Sequence, residues 1–253
     1  MEDRSLPIIY LTGATACGKG TLGKMLADKH NLYHLSIGDT RRDFLKRVQE
    51  GKIDHISDEI DKHIKARGVI HEDLLKQPEE EELFLGKYKR VPAILSYYNR
   101  YTQNLPTFPV VPAIIREKID EALDEATKGP GYKAMLIDGL PVTTGELNEK
   151  IVEEFKDQFS GLTIVIECSE DVARSRYIKR KRLETDDGAK FERRMERTQR
   201  SLPPLIALLE GRYNSTIVKV VNDGSKTAEQ AFEDLEKMLM GCEIFVGIVG
   251  RKA

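Results

Sequence analysis

A lysine and a threonine sit inside a run of small residues near the start of the chain, Gly13-Ala14-Thr15-Ala16-Cys17-Gly18-Lys19-Gly20-Thr21. These types at this spacing suit the binding of phosphate. The glycines let the backbone wrap with its N–H groups pointing inward at anionic oxygens. Lys19 can then reach β- and γ-phosphates, and the Thr21 hydroxyl can ligate Mg²⁺. Such chemistry needs a strand leading in and a helix leading out, because the helix N-terminus adds partial positive charge at the anion. Both are legible. Leu6-Pro7-Ile8-Ile9-Tyr10-Leu11 reads as a short buried strand, and Leu22 to Lys29, apolar at 22, 25 and 26, suits a helix. The expectation is a nucleoside triphosphate site built from Gly13, Ala16, Cys17, Gly18, Lys19, Gly20 and Thr21.

The elements that would hold this loop recur along the chain. Strand candidates are Ile8–Leu11, Tyr33–Leu35, Ala134–Ile137, Thr163–Glu167 and Ile217–Val221, each followed by at least one amphipathic helical stretch. Alternating helices and nearly uncharged strands predict an α/β fold, a five-stranded parallel sheet with helices on both faces. No internal repeat is present. Residues 72–109 break the alternation. An acidic run, Glu79 to Glu82, opens the segment, and Phe84, Tyr88, Tyr97, Tyr98, Tyr101 and Phe108 follow, out of 9 tyrosines and 8 phenylalanines in the whole chain. That density of aromatics is unlike a solvated linker.

Composition limits the function classes. With 40 Lys+Arg against 42 Asp+Glu in 253 residues, nothing draws the chain globally toward nucleic acid or a membrane surface. Cys17, Cys168 and Cys242 are an odd count without CxxC spacing, so neither a disulfide framework nor a zinc site is indicated. A reducing, cytoplasmic setting is the simplest expectation. Met1-Glu2-Asp3-Arg4-Ser5 does not have the pattern of a presequence. Glu243 to Gly250 is apolar but short, and reads as an edge strand or a docked tail. His55, His63 and His71, eight apart, drift around a helix and read as solvated.

Beyond the loop, further motifs follow in order, and together they carry a resemblance. GKGT at 18–21 resembles the adenylate kinase branch of the nucleoside monophosphate kinases, a group that includes the UMP-CMP kinases. Ser36-Ile37-Gly38-Asp39-Thr40-Arg41-Arg42 is similar to the family segment where an arginine reaches the monophosphate. Asp138-Gly139-Leu140-Pro141 resembles the family's Asp-Gly-Phe-Pro. Arg176 and Arg180 fall where the family has two arginines four apart at the edge of a lid. Asp186-Asp187 followed by Arg193-Arg194 resembles a short form of that lid, and Val221 to Lys226 the closing strand and turn near adenine. The resemblance covers the chain outside 72–109.

It implies a P-loop core of residues 1–35, 110–179 and 195–253, an acceptor region at 36–71, a family-atypical insert at 72–109 enlarging it, and a short lid at 180–194. It also implies ATP and Mg²⁺, and transfer of the γ-phosphate to a nucleoside monophosphate. Lys19, Arg176, Arg180 and Arg194 would surround the moving phosphoryl group with positive charge. Thr21 and Asp138 would hold the metal, Asp138 through water, and Arg42 the acceptor phosphate. The partners implied are ATP and the acceptor, with monomer or homodimer left open.

Two departures bear on the acceptor. Val142 stands where the family has an arginine that clamps its phosphate, and Glu146 where adenylate kinases carry a glutamine that reads adenine. A carboxylate only accepts hydrogen bonds, so Glu146 suits a base edge carrying donors. Arg90 or Arg100 of the insert could replace the lost charge; packing on the core or on a second copy is the competing expectation. A kinase for another small phosphoacceptor, or a catalytically weak nucleotide-binding regulator, remain alternatives.

Overall fold

The computed structural model describes residues 6–40, 43, 110–126, 131–140, 145–180 and 188–250. The chain divides into two compact units, one of Met1–Ser36 with Ala122–Ala253 and one of Ile37–Glu121. Arg42, the 72–109 insert with Arg90 and Arg100, Val142 and the three histidines, for which the sequence carries expectations, all lie outside the described residues.

The first unit holds the sheet. Strand β1 (Ile8–Gly13) leads to helix α1 (Lys19–His30) and strand β2 (Tyr33–Ser36). Helix α2 (Val110–Ala126) ends in this unit and precedes β3 (Met135–Leu140), α3 (Gly145–Glu154) and β4 (Phe159–Glu167). Then come α4 (Glu170–Arg180), α5 (Gly188–Tyr213), β5 (Thr216–Val221), α6 (Ala228–Met240) and α7 (Glu243–Val249). The five strands are all parallel, in the order β2-β3-β1-β4-β5. The α/β fold expected from alternating strands and helices is the fold observed.

Burial explains the near-absence of charge in the central strands. Ile8 to Leu11, Met135 to Ile137 and Ile164 to Ile166 are almost wholly buried, which requires cover on both faces of a parallel sheet. Ile9 and Leu11 of β1 join Leu136, Ile164, Ile166, Val218 and Val220 in one core with Leu22 and Leu26 of α1, Phe232, Leu235 and Leu239 of α6, and Phe245 and Ile248 of α7. The alternate residues face the other way. There Tyr10 stacks on Phe159 with ring centroids 5.0 Å apart, and Ile151, Val152 and Phe155 of α3 and Leu205 and Leu209 of α5 are buried. Tyr213, at the end of α5, donates to Glu153 of α3 at 2.5 Å.

The terminal segment is a docked tail rather than an edge strand. Only Gly241 and Cys242 separate α6 from α7, so the chain turns back before it can reach a sheet edge. Phe245 and Ile248, three apart, bury one helical face. The Phe245 ring meets His30 edge-on at 5.2 Å, and Lys133 Nζ donates to the Val249 carbonyl.

In the second unit the described residues are few. Residues 37–40 are helical and Ile37 is buried. In α2, Ile115 is buried, and Lys118 and Glu121 form an i,i+3 ion pair at 2.6 Å.

Candidate phosphate-binding site

The connection from β1 runs to β2 on one side and that from its neighbour β3 runs to β4 on the other, so the carboxyl ends of β1 and β3 flank the topological switch point where open α/β sheets bind ligands. The glycine-rich loop occupies that point. β1 ends at Gly13, whose φ of +141° and neighbours admit no side chain: a Cβ there would fall on the Ile166 carbonyl oxygen. Ala16 at φ +62° and Gly18 at φ +103° turn the chain through two left-handed residues into α1. The Cys17 N–H closes a tight turn on the Ala14 carbonyl at 3.3 Å, and the Thr21 and Leu22 N–H groups both bond the Gly18 carbonyl.

The start of α1 carries no side-chain cap and no acidic residue in its first turn. An uncapped N-terminus leaves backbone donors and partial positive charge to an external anion. Lys19 extends back along the loop. Its Nζ donates to the carbonyls of Gly13 at 3.0 Å and Ala14 at 2.8 Å, and lies 3.7 Å from Cys17 Sγ. Cys17 is fully buried, with its side chain in the core under the loop. Cys168 is half-buried and packs against the same region, and burial pushes its thiol up to about 11, so it stays protonated near neutral pH.

Asp138 stands on the neighbouring strand. β3 bulges between Asp138 and Leu140, so that Leu11 pairs with Asp138 but Thr12 pairs with Leu140. Bulges beside sites re-aim side chains. The Thr12 hydroxyl donates to the Leu140 carbonyl at 2.6 Å and fixes the ends of the two strands together. Asp138 is buried, and its Oδ2 would lie 3.8 Å from a Cβ placed on Gly20. The carboxylate therefore sits beside the first turn of α1, where Lys19 and Thr21 also begin.

The arginines of the α4–α5 arm are disposed in two ways. Arg176 is bound into the loop: Nη1 donates to the Cys17 carbonyl at 3.3 Å and the Asn222 carbonyl at 3.0 Å, and Nη2 to Asn222 Oδ1 at 3.0 Å. Arg180 and Arg194 both lie over the Tyr177 ring, at 5.5 and 5.6 Å from its centroid. Tyr177 is fully buried in a small cluster with Ala173, Phe191 and Met195, against which Ala14 and Ala16 of the loop pack. The arm thus meets the loop through that cluster. Residues 188–194 of the segment read as a lid form the first turns of α5, and 181–187 lie outside the described residues. Glu146 falls in the first turn of α3.

Two residues in this site were not singled out in the sequence, Asn222 being placed only within the Val221 to Lys226 turn. Asn222, buried just beyond β5, bonds both Arg176 and the loop. Arg197 follows Arg194 by one turn and is half-buried, and no hydrogen bond or ion pair holds it among the described residues. Burial and the Arg194 charge hold its guanidinium below the usual arginine range. Its signal in the sequence was the i,i+3 spacing to Arg194.

Among the described residues no group of three His, Cys, Asp or Glu side chains gathers to hold a metal. Cys17, Cys168 and Cys242 are free thiols. No helix among the described residues is long and apolar enough to cross a membrane.

The central parallel sheet, with the loop at its switch point, is an α/β fold of the kind found in P-loop kinases. No family model matches the chain. A curated relative, the adenylate kinase of Rickettsia africae (strain ESF-5), is 29% identical over 113 residues, 44% of this chain and 49% of the relative. The chain thus matches about half the length of that relative. This distant similarity points to the adenylate kinase family and, in general terms, to a nucleotide kinase.

Proposed function

We propose that the protein transfers the γ-phosphate of ATP to a nucleoside monophosphate, with Mg²⁺. The observation that carries the reading is the loop from Gly13 to Thr21: two left-handed residues, an uncapped helix start and Lys19 lying along it. A loop of this shape suits phosphate oxygens. A lysine that rests on two backbone carbonyls is held near the loop and can exchange them for phosphate oxygens.

Phosphoryl transfer asks the protein for alignment, exclusion of water and positive charge, and little covalent chemistry. The acceptor phosphate oxygen is already ionised, so no general base is required. Lys19 would hold the β- and γ-phosphates. Arg180, Arg194 and Arg197 would face the charge that spreads over the equatorial oxygens in the transition state. Thr21 and Asp138 fit a hard cation: one hydroxyl and one buried carboxylate beside the first turn of α1 suit Mg²⁺, which keeps several waters and takes phosphate oxygens. When bound, Mg²⁺ neutralises charge between the β- and γ-phosphates. A reducing, cytoplasmic setting is part of the same proposal.

Acceptor choice rests on Glu146 and Val142. A carboxylate at the base-reading position disfavours adenine, whose N1 is an acceptor, and favours guanine or cytosine, which offer donors. This would set the chain apart from adenylate kinases and toward the UMP-CMP side of the family, or toward another small phosphoacceptor. A coupled assay with Mg·ATP across AMP, CMP, UMP, GMP and their deoxy forms tests the reading. Turnover of one or more, with preference moved toward AMP in Glu146→Gln, is the expected result. No turnover with any of them, while Mg·ATP still binds, would overturn the monophosphate kinase reading.

A further inference from the structure

We propose that Asn222 is a positioning residue for the phosphate loop, closing a clasp with Arg176 around the Cys17 carbonyl. The hydrogen bonds form a closed set. Asn222 Nδ2 donates to the Cys17 carbonyl at 2.9 Å, and Oδ1 accepts from Arg176 Nη2 at 3.0 Å. Arg176 Nη1 reaches the backbone carbonyls of both Asn222, at 3.0 Å, and Cys17, at 3.3 Å. Asn222 itself is fixed by its own N–H, which donates to the Glu167 carbonyl at 2.7 Å and prolongs the β4–β5 ladder by one residue. Chemistry dictates which way the amide faces: a guanidinium only donates and a carbonyl only accepts, so Oδ1 must meet Arg176 and Nδ2 must meet Cys17.

Holding that carbonyl has a direct consequence for the loop. The peptide joining Cys17 to Gly18 is planar and trans, so its C=O and N–H point in opposite directions. With the oxygen fixed toward Asn222, the Gly18 N–H is aimed away from the clasp. That N–H stands at the uncapped start of α1, among the donors an anion would take. The clasp also explains Gly18. A Cβ there would fall on Asn222 Nδ2, so closure of the clasp and a side chain at 18 exclude each other.

Arg176 and Arg180 look alike in sequence, yet the clasp gives Arg176 a separate task. Its guanidinium is engaged with backbone and with Asn222, where it sets the loop's shape instead of meeting a reacting oxygen. The inference rests on the reading that the loop binds the phosphates of ATP, and the test separates the two.

Asn222→Asp is the informative variant. It is isosteric, keeps an acceptor for Arg176 and adds charge attraction, but offers the Cys17 carbonyl an oxygen in place of a donor. Amide hydrogen exchange over residues 14–21 without nucleotide, Mg·ATP affinity by calorimetry and thermal stability would be measured on the wild type, Asn222→Asp and Arg176→Lys. Faster exchange at the hydrogen-bonded amides of Cys17 and Thr21 in Asn222→Asp, with ATP affinity lower by about tenfold, the scale of one lost hydrogen bond, is expected. Arg176→Lys, which loses the two-pronged fork, should behave alike. Unchanged exchange over the loop in both variants would overturn the clasp. Faster exchange with unchanged ATP affinity would overturn its role in phosphate binding. A wild type that binds no Mg·ATP, but whose loop exchange still rises in Asn222→Asp, would overturn the ATP reading and leave the clasp standing.

Discussion

Arg176 and Arg180 lie one helical turn apart on α4, and they are held by different physics. The Arg176 guanidinium makes three directed hydrogen bonds within 3.3 Å, to two carbonyls and one amide oxygen. Arg180, and Arg194 from α5, each lie over the Tyr177 ring. A fork engaged by three acceptors is fixed in place and is costly to move. A cation over an aromatic ring is held by a broad electrostatic attraction, worth about 0.5–2 kcal/mol, that tolerates sliding. The first arrangement suits a scaffold. Tyr177 sets the second arrangement, because its fully buried ring is a fixed platform against which both guanidiniums rest.

Removing Lys19 has the largest expected effect, and it tests the loop shared by both regions. Lys19→Met should lower phosphoryl transfer by two orders of magnitude or more, of the size seen when one charge-stabilising donor is lost. Circular dichroism and thermal melting should stay near wild type, since the bonds of Nζ are confined to the loop's own carbonyls and the neighbouring Cys17 sulfur. Turnover within a few-fold of wild type would show that the loop does not act on phosphate.

The stacked arginines come next. Arg180→Ala and Arg194→Ala should each reduce kcat by about 10²-fold with little change in melting temperature, if they face the transition state. Arg176→Lys should instead raise KM for ATP more than it lowers kcat. Equal profiles for all three would erase the distinction between anchored and stacked arginines. Arg197→Gln should follow Arg194→Ala with a smaller effect, because Arg197 lies one turn further along α5.

A smaller effect, and one on stability, follows from the loop's entrance. Gly13→Ala would place a methyl group on the Ile166 carbonyl oxygen at a φ of +141°. Neither strand can yield, because β1 and β4 are paired along their length in the buried centre of the sheet. The expected cost is about 1–3 kcal/mol, the scale of a residue forced into a sparsely populated backbone region. Urea unfolding would measure it, and an unchanged midpoint would show that the strand ends relax.

How far these features could be read in advance depended on their range in the chain. The five strands were legible because central parallel strands are apolar on both faces, and the glycine-rich loop because its chemistry is local. β4 begins at Phe159, four residues before the apolar run suggests. Gly161 at φ +80° lets the chain bulge there, so that Ile8 pairs with Phe159 but Tyr10 with Thr163. Glu243 to Val249 has strand-like residues but becomes a helix, since two residues after α6 leave no path to a sheet edge. Asn222 was beyond reach: its partner Cys17 is 205 positions away, and an asparagine after a strand commonly marks only a turn. Arg176 shared a spacing with Arg180, and spacing cannot show which acceptors a guanidinium meets.

The smallest expected effect lies at the far end of α1, and it serves to isolate the site. That helix begins at the glycine-rich loop and ends with Lys29 and His30, which both reach Glu236 of α6, at 2.6 and 2.9 Å. The Lys29 hydrogen bond, with a smaller contribution from His30, holds the Glu236 carboxyl below its usual range, against a burial effect that raises it. A carboxyl lowered on folding adds stability that is complete above its unfolded-state value near pH 4. That stability is lost as pH falls through the lower folded-state value. Glu236→Gln should therefore melt slightly earlier than wild type at pH 7, by about 2 °C or less, as expected for a half-exposed pair. The difference should fade as pH falls below about 4 and through the lower folded-state value, where the wild-type carboxylate is protonated in its turn. Turnover at pH 7 should be unchanged, because Glu236 touches α1 at the end opposite the glycine-rich loop. If Glu236→Gln altered the KM for ATP as Arg176→Lys does, α1 would be transmitting strain along its length, and the clasp would no longer be the sole determinant of loop geometry. If it left kinetics untouched while the pH-dependent melting difference appeared, the loop's shape would be set locally, by Asn222 and Arg176.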